Sequence, residues 1–161
     1  MTDQRTPVQC AEDVVAARDR LVAFAQGLSE ADWRSSPLGE GDPRSVGVVT
    51  DHVAHSYEYI GSWISTLLKG TVPKINPAVI DELNAQHASR TGQVTIDEAV
   101  AHLRQSGDTF AGILRSLRPD DFETHDGRIC RLAEVAIRHT DGHRSEIENA
   151  LVESSAKQTR Q

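Results

Sequence analysis

The sequence predicts an all-α protein that folds as a four-helix bundle. Four long stretches carry apolar residues at three- and four-residue spacing, and a capping residue or a proline stands at the start of the first three. No stretch of more than four residues looks like a strand. Long amphipathic helices bury their apolar faces against one another, so we expect a bundle with antiparallel neighbours. Two connections, 28–44 after the first helix and 69–94 after the second, are long.

The first long helix is predicted at about 8–27. Pro7 stands at its start, where proline costs little because the first helical turn offers no partner for the missing N–H. Gly27 ends the stretch, and Ser29 then caps a short helical turn that reaches Trp33. The apolar residues of the first helix are Val14, Val15, Leu21, Val22, Phe24 and Ala25.

The second long helix begins after the capping residue Ser45 and runs to about Leu68, because Gly70 and Pro73 follow. The stretch 77–91 has a weaker pattern and is also predicted to be helical. The stripe that faces the core from the second helix is Val49, Val53, Ser56, Ile60, Trp63 and Leu67.

The third long helix begins at a capping box formed by Thr95 and Glu98, and Pro119 ends it. Gly127 closes the next loop, and the fourth helix is predicted at about 130–152. The polar tail that follows is expected to fray. We therefore predict one domain, residues 1–152, and a C-terminal tail, residues 153–161.

Composition excludes some functions. The 161 residues include 17 Lys and Arg against 24 Asp and Glu, a net charge of -7 with no basic run, which opposes nucleic-acid binding. No stretch is apolar enough for a signal peptide or a membrane span, so a cytoplasmic location is expected. Cys10 and Cys130 are interpreted as small apolar residues in a reducing compartment, with a thiolate ligand or redox pair as the alternative.

The fourth helix carries two histidines on its inward stripe. His139 and His143 are four residues apart and thus lie one turn apart on one face, where they can share one metal ion. Taken alone, the pair could equally be buried histidines satisfied by hydrogen bonds. The stripe reads Leu132, Ala136, His139, His143, Ile147 and Leu151.

His52 lies on the apolar stripe of the second helix and completes a set of three imidazoles on two facing helices. His55 faces inward less directly. The apolar neighbours cannot supply hydrogen-bond partners for three buried histidines, whereas a divalent metal ion can use all three. Three histidines with an open fourth position are the catalytic form of a zinc site.

Two segments resemble the DinB-like superfamily, which includes mycothiol-dependent maleylpyruvate isomerases and bacillithiol and mycothiol S-transferases. They are SVGVVTDHVAHSYEYIGSWI at 45–64 and HDGRICRLAEVAIRHTDGHRSEIENAL at 125–151. The resemblance implies that His52, His139 and His143 bind a metal, zinc first and nickel as the alternative, and that His55 is a neighbour. It also implies a four-helix bundle that is often a homodimer.

The sequence departs from this pattern at two positions. Arg44 stands where a tryptophan is common, and Glu146 stands where a glutamine is common. Glu146 could orient a ligand imidazole, His139 being the one close to it on a helical wheel, or it could be a solvated acid near the helix end.

The leading hypothesis is a metal-dependent thiol S-transferase, in which a metal-activated low-molecular-weight thiol such as mycothiol or bacillithiol attacks an electrophilic small molecule. Tyr59, Trp63 and the connection 69–94 would line the pocket. One alternative is a metal-binding regulatory or ligand-binding module without turnover. Another is a metal-dependent hydrolase with Glu146 or Asp51 as general base, although Asp51 points about 100° away from His52 around the helix.

The remaining polar candidates have simpler interpretations. His87 and His102 are expected to be exposed, and His125 is expected to be a turn residue in the loop before the fourth helix. Asn84 loosely matches a position in the thiol-dependent branch and could equally be a helix surface residue.

Overall fold

A computed structural model describes residues 5–160, so residues 1–4 of the predicted domain and residue 161 of the predicted tail lie outside it. The α-helices, in chain order, are α1 (Pro7–Gln26), α2 (Glu30–Arg34), α3 (Val46–Leu68), α4 (Pro77–Arg90), α5 (Ile96–Arg115) and α6 (Thr124–Gln158). A short 3-10 helix, Pro119–Phe122, precedes α6.

The four long helices form the bundle, and the all-α prediction is confirmed. The main packing pairs are α1 with α5, α5 with α3, α3 with α6, and α6 with α1. Residues 5–160 hold six α-helices rather than four, because α2 and α4 occupy the two long connections. Among the four long helices, α1 and α3 lie across the bundle from each other, as do α5 and α6. No helix in this part of the chain is both long and apolar enough to cross a membrane.

The predicted starts of the first three long helices are confirmed, and local capping interactions hold them. The Ser45 hydroxyl accepts a hydrogen bond from the Val48 N–H, and Thr95 and Glu98 form the predicted capping box. A second capping box, between Thr6 and Gln9, starts α1. These contacts satisfy N–H groups that have no partner inside the first helical turn.

The start of α6 contains a backbone break at 125–127. His125, Asp126 and Gly127 have φ values of 52°, 56° and 68°, so the regular helix continues only beyond them. His125 is thus the turn residue that the sequence predicts, and its Nε2 also donates a hydrogen bond to the Leu67 carbonyl at 2.9 Å. The other end of α6 corrects a prediction: the helix, which the sequence ends near 152, extends to Gln158.

A buried hydrogen bond fixes α3 against α6. The Tyr57 hydroxyl lies 2.7 Å from Thr140 Oγ1, and Thr140 itself donates to the Ala136 carbonyl. Tyr57 therefore donates to Thr140, and both polar groups are satisfied inside an apolar core. Cys10 and Cys130 are also buried in this core, and burial raises the pKa of the Cys10 thiol to about 11.

His102 links α5 to α3, which corrects the expectation that it is a plain surface residue. Its Nδ1 lies 2.8 Å from Asp51 Oδ1, and its Nε2 lies 2.8 Å from Glu58 Oε1. The hydrogen bond that His102 donates to Asp51 is the main cause that raises the pKa of His102 to about 9, against the opposing effect of burial. The charged imidazole thus bridges two carboxylates that lie on one face of α3.

Trp33 closes one end of the molecule and needs a glycine beneath it. The indole is 1% exposed, and its Nε1 donates to the Val94 carbonyl at 2.8 Å. A Cβ placed on Gly47 would lie 2.8 Å from Trp33 Cε2 and 2.9 Å from Nε1. Gly47 therefore lets α2 and the residues before α5 pack closely on the start of α3.

We expect Gly47→Ala to lower the free energy of unfolding by about 1–3 kcal/mol, since the methyl group must displace the buried indole. Gly112→Ala is the matched control: Gly112 is also helical, and nothing lies within 4 Å of its added Cβ. We expect this control to stabilise the protein by about 0.5–1 kcal/mol. Urea unfolding measures both, and equal effects of the two substitutions would contradict the role of Trp33.

We expect His102→Gln to destabilise the protein in a pH-dependent manner. The folded-state pKa of His102 is raised from 6.5 to about 9, so its contribution is complete below pH 6.5 and is lost as the pH rises through about 9. Urea unfolding of both proteins, with a chelator present, measures the difference below 6.5 and above 9. A difference that stays constant across this range would rule out the charged bridge.

Candidate metal centre

Three histidines from two packed helices meet inside the bundle. His52 comes from α3 and is 2% exposed, and His139 and His143 come from successive turns of α6. One ligand nitrogen of each lies within 4.8 Å of the other two. The Nε2 atoms of His52 and His139 are 2.9 Å apart. The structure therefore brings together the three residues that the sequence singled out.

The three rings stand nearly perpendicular to one another. The ring centroids are 4.9 Å apart for His52 and His139, 5.3 Å for His52 and His143, and 4.4 Å for His139 and His143. The interplanar angles are 76°, 83° and 80°, so the rings meet edge to face rather than stacked. Rings in this arrangement can direct nitrogen lone pairs toward one shared point.

The surroundings keep the three imidazoles neutral, which is the form that binds a metal. Burial, reinforced by the positive charge of neighbouring histidines, lowers the pKa of His52 to about 2 and that of His139 to about 4. Burial also lowers the pKa of His143, and the hydrogen bond that His143 donates to Glu146 offsets part of that effect. At neutral pH the three residues thus offer lone pairs without having to lose protons.

Glu146 orients one of the three imidazoles. Its Oε2 lies 3.1 Å from Nδ1 of His143, so Nδ1 carries the hydrogen and Nε2 carries the lone pair. A carboxylate behind a ligand histidine commonly fixes the tautomer in metal sites. The partner of Glu146 is thus His143 rather than His139, and the Glu146 side chain remains 52% exposed.

The hydrogen bonding of His52 also fits a metal site. Its Nδ1 atom is buried and has no hydrogen-bond partner among residues 5–160. Only one hydrogen can lie between Nε2 of His52 and Nε2 of His139, so without a metal the two nitrogens share a single hydrogen bond. A shared metal ion would use both lone pairs, and the donor set therefore fits the group that the sequence predicts.

His87 corrects the expectation of an exposed residue. It is 7% exposed, and its Nε2 donates to Asp51 Oδ2 at 2.8 Å. His87 is the single buried residue of α4, so a polar contact rather than an apolar stripe docks this helix. Its ring centroid lies 5.9 Å from that of His52, which places α4 beside the three histidines.

Asp51 is the centre of a second polar group, which it forms with His87 and His102. It is not a member of the cluster of three histidines. Its two carboxylate oxygens accept hydrogen bonds from His87 and His102. Burial alone would raise the pKa of Asp51, but these two hydrogen bonds outweigh it and lower the pKa to about 2. A single signal in the sequence points to this group: Asp51 is an ionisable residue inside the apolar stretch 46–54 and therefore needs partners.

His55 lies beside the three histidines but outside the cluster. Its ring stacks on that of His87 with centroids 5.1 Å apart, and its Nδ1 lies 3.1 Å from Glu58 Oε2. Tyr59 packs on His55, and Trp63 packs on Tyr59, so the aromatic residues proposed for a pocket wall form a continuous row.

Asn84 points its side-chain oxygen into a buried position. Asn84 Oδ1 has no hydrogen-bond partner among the described residues, although the residue as a whole is only half-buried. It lies one turn before His87 on α4, so the structure places it on the docked side of that helix. Of the two interpretations of Asn84, a plain surface residue is therefore the poorer description.

Comparison with known proteins supports the family assignment. Neither the curated proteins nor the solved structures gave a match to this chain. The profile of the DinB superfamily matches residues 14–147, which includes all three histidines and most of the bundle. The chain therefore belongs to the DinB superfamily.

Proposed function

We propose that this protein is a metal-dependent thiol S-transferase that joins a low-molecular-weight thiol to an electrophilic small molecule. The observation that carries the proposal is a cluster of three histidines with no fourth His, Cys, Asp or Glu completing it within residues 5–160. Structural zinc sites use four protein ligands, whereas catalytic sites use three and leave one position for a ligand.

The chemistry requires a thiolate, and a divalent metal bound to His52, His139 and His143 would supply it by lowering the pKa of the thiol. The protein residues would hold the metal-binding histidines in place. Glu146 fixes the tautomer of His143, and the bond between Tyr57 and Thr140 holds α3 and α6 in register. The three neutral imidazoles, one buried and two half-buried, add no charge of their own.

The hydrolase alternative needs a carboxylate that is free to accept a proton. Both oxygens of Asp51 accept hydrogen bonds from His87 and His102, and Glu146 is bonded to His143. Both oxygens of Asp51 are thus occupied, which counts against Asp51 as the general base, whereas Glu146 uses only one oxygen and is half-exposed. A metal-binding module without turnover has the same three ligands, so a turnover measurement separates it from the transferase.

The proposal includes zinc as the metal, with nickel as the alternative, and a mycothiol- or bacillithiol-like cosubstrate. The aromatic row of His55, Tyr59 and Trp63 would contact the electrophile. The proposal also includes a cytoplasmic location, where such thiols stay reduced, and a homodimer. The family to which the chain belongs supports these parts of the proposal.

We expect about one equivalent of divalent metal in protein purified without an affinity tag, and none in His143→Ala. Glu146→Gln should weaken zinc affinity by about 10- to 100-fold, since it removes the charge behind His143. His102→Gln, a histidine substitution outside the cluster, is the control and should keep its metal. Elemental analysis and competition with a chelator measure these effects, and metal retained by His143→Ala would refute the site.

We expect the zinc-loaded protein to accelerate the loss of thiol in a mixture of a bacterial low-molecular-weight thiol and a model electrophile. His143→Ala should reduce the rate to background, because the site loses one of three ligands. Product formation followed by mass spectrometry measures the reaction. A metal-loaded protein that gives only the background rate would leave the module without turnover as the better description.

A further inference from the structure

A small cavity at the start of α6 is separate from the cluster of three histidines. Its volume is about 280 Å³, and none of the three histidines lines it. One wall comes from the connection between α3 and α4, and the other comes from the first two turns of α6 beyond its backbone break. The lining residues are Pro73, Ile75, Arg128, Arg131, Leu132 and Val135. Four of these are apolar, two are arginines and none is a carboxylate, so the cavity combines an apolar wall with positive charge.

The protein covers the apolar wall of this cavity only in part. Ile75 and Leu132 are half-buried, and Val135 is 42% exposed. Val72, which directly precedes Pro73, is 57% exposed. Single exposed apolar side chains are ordinary, but several of them around a concave surface mark a place where a ligand is bound. A molecule that enters the cavity would gain free energy by removing this surface from water.

The two arginines of the cavity carry charges that no carboxylate balances. Neither Arg128 nor Arg131 forms an ion pair with a residue in the range 5–160. Arg131 Nη1 instead donates a hydrogen bond to the main-chain carbonyl of Asp126, within the left-handed turn at 125–127. A carbonyl oxygen has no net charge, so this contact holds the guanidinium in place and leaves it available to an anion.

The position of these arginines is unfavourable for the helix that carries them. Regular helical geometry begins beyond Gly127, so Arg128 and Arg131 lie in the first turn. This end of a helix has a partial positive charge, which favours acidic side chains and disfavours cations. Residues that break a local rule without stabilising the fold are expected at functional sites. The pair of arginines therefore indicates a role in binding, and the cavity beside them supplies the place.

We propose that this cavity is a second ligand site, specific for a small amphipathic anion. The apolar body of the ligand contacts Ile75, Leu132 and Val135, and its carboxylate accepts hydrogen bonds from Arg128 and Arg131. Guanidinium groups suit carboxylates because the two match in geometry and charge. The occupant is a small molecule because the surface is concave and of limited volume. No metal ligand lines this site, so the inference does not rest on the proposed function.

The test is a titration of the full-length protein with 4-phenylbutyrate, followed by ¹H–¹⁵N NMR. The comparison ligand is 4-phenylbutyramide, which has the same apolar body and no charge. Wild type should bind the acid at least about tenfold more tightly than the amide, as expected for a charge-assisted hydrogen bond. The amide resonances of residues 74–76 and 128–135 should shift. Equal affinity for the two ligands, absence of binding, or shifts confined to the surroundings of the three histidines would overturn the proposal.

Substitutions separate the charge of the site from its apolar wall. Arg128→Gln combined with Arg131→Gln should remove the preference for the acid and leave the affinity for the amide unchanged. Val135→Asn should weaken both ligands by a similar factor, since it alters only the wall. The matched control is Arg104→Gln combined with Arg115→Gln, which removes the same charge from α5 on the opposite side of the bundle. A loss of preference in this control would reveal a general effect of net charge and overturn the proposal.

Three further measurements test other ways of occupying this surface. Cosedimentation with phosphatidylglycerol vesicles that needs both arginines, without binding of the acid, would assign the surface to a membrane. A concentration-dependent increase in mass by sedimentation velocity, lost in the double variant, would assign it to a second copy of the chain. Either result would overturn the small-molecule site. The variant His143→Ala should bind the acid as wild type does, whereas a loss of binding there would place the acid on the metal instead.

Discussion

The register of α3 against α6 is the constraint on which the candidate metal centre depends. The Tyr57 hydroxyl donates to Thr140, and Thr140 donates to the Ala136 carbonyl, so a buried hydrogen bond between hydroxyls fixes the register of the two helices. Thr140 directly follows His139, and Tyr57 lies little more than one turn after His52. The register that satisfies these hydroxyls also brings the Nε2 atoms of His52 and His139 to 2.9 Å. A shift by one turn would separate the imidazoles and leave a buried hydroxyl unpaired.

A second polar group encloses the centre from the side. Asp51 accepts hydrogen bonds from His87 of α4 and His102 of α5, so one carboxylate connects three helices. Since His87 is the only buried residue of α4, that helix contributes little apolar burial of its own. Elements held by few buried contacts open more readily than the core. The helix α4, which lies beside the three histidines, is therefore the least firmly packed of the long helices near them.

The cluster of three histidines and the group around Asp51 differ in charge, and this difference matches what each group does in the structure. Burial keeps the three clustered histidines neutral and suited to a metal, whereas Asp51 and Glu58 keep His102 charged. Both groups lie on α3, with His52 and Asp51 adjacent in sequence but directed toward different helices. The helix α3 thus presents a neutral imidazole, His52, and a charged carboxylate, Asp51, in consecutive positions, because neighbouring residues are about 100° apart around the axis.

The sequence by itself determined the features that depend on local interactions and on periodicity. Caps and breakers fixed where helices start, and the inward stripes identified His52, His139 and His143, because side chains at three- and four-residue spacing share one face. Only the tertiary structure decided the contacts between distant segments. The burial of His87 against Asp51 and the bridge from His102 to Asp51 and Glu58 join residues that lie far apart in the sequence, and no periodicity pairs them. Long-range pairing of this kind depends on how whole helices pack, and packing is a property of the complete chain.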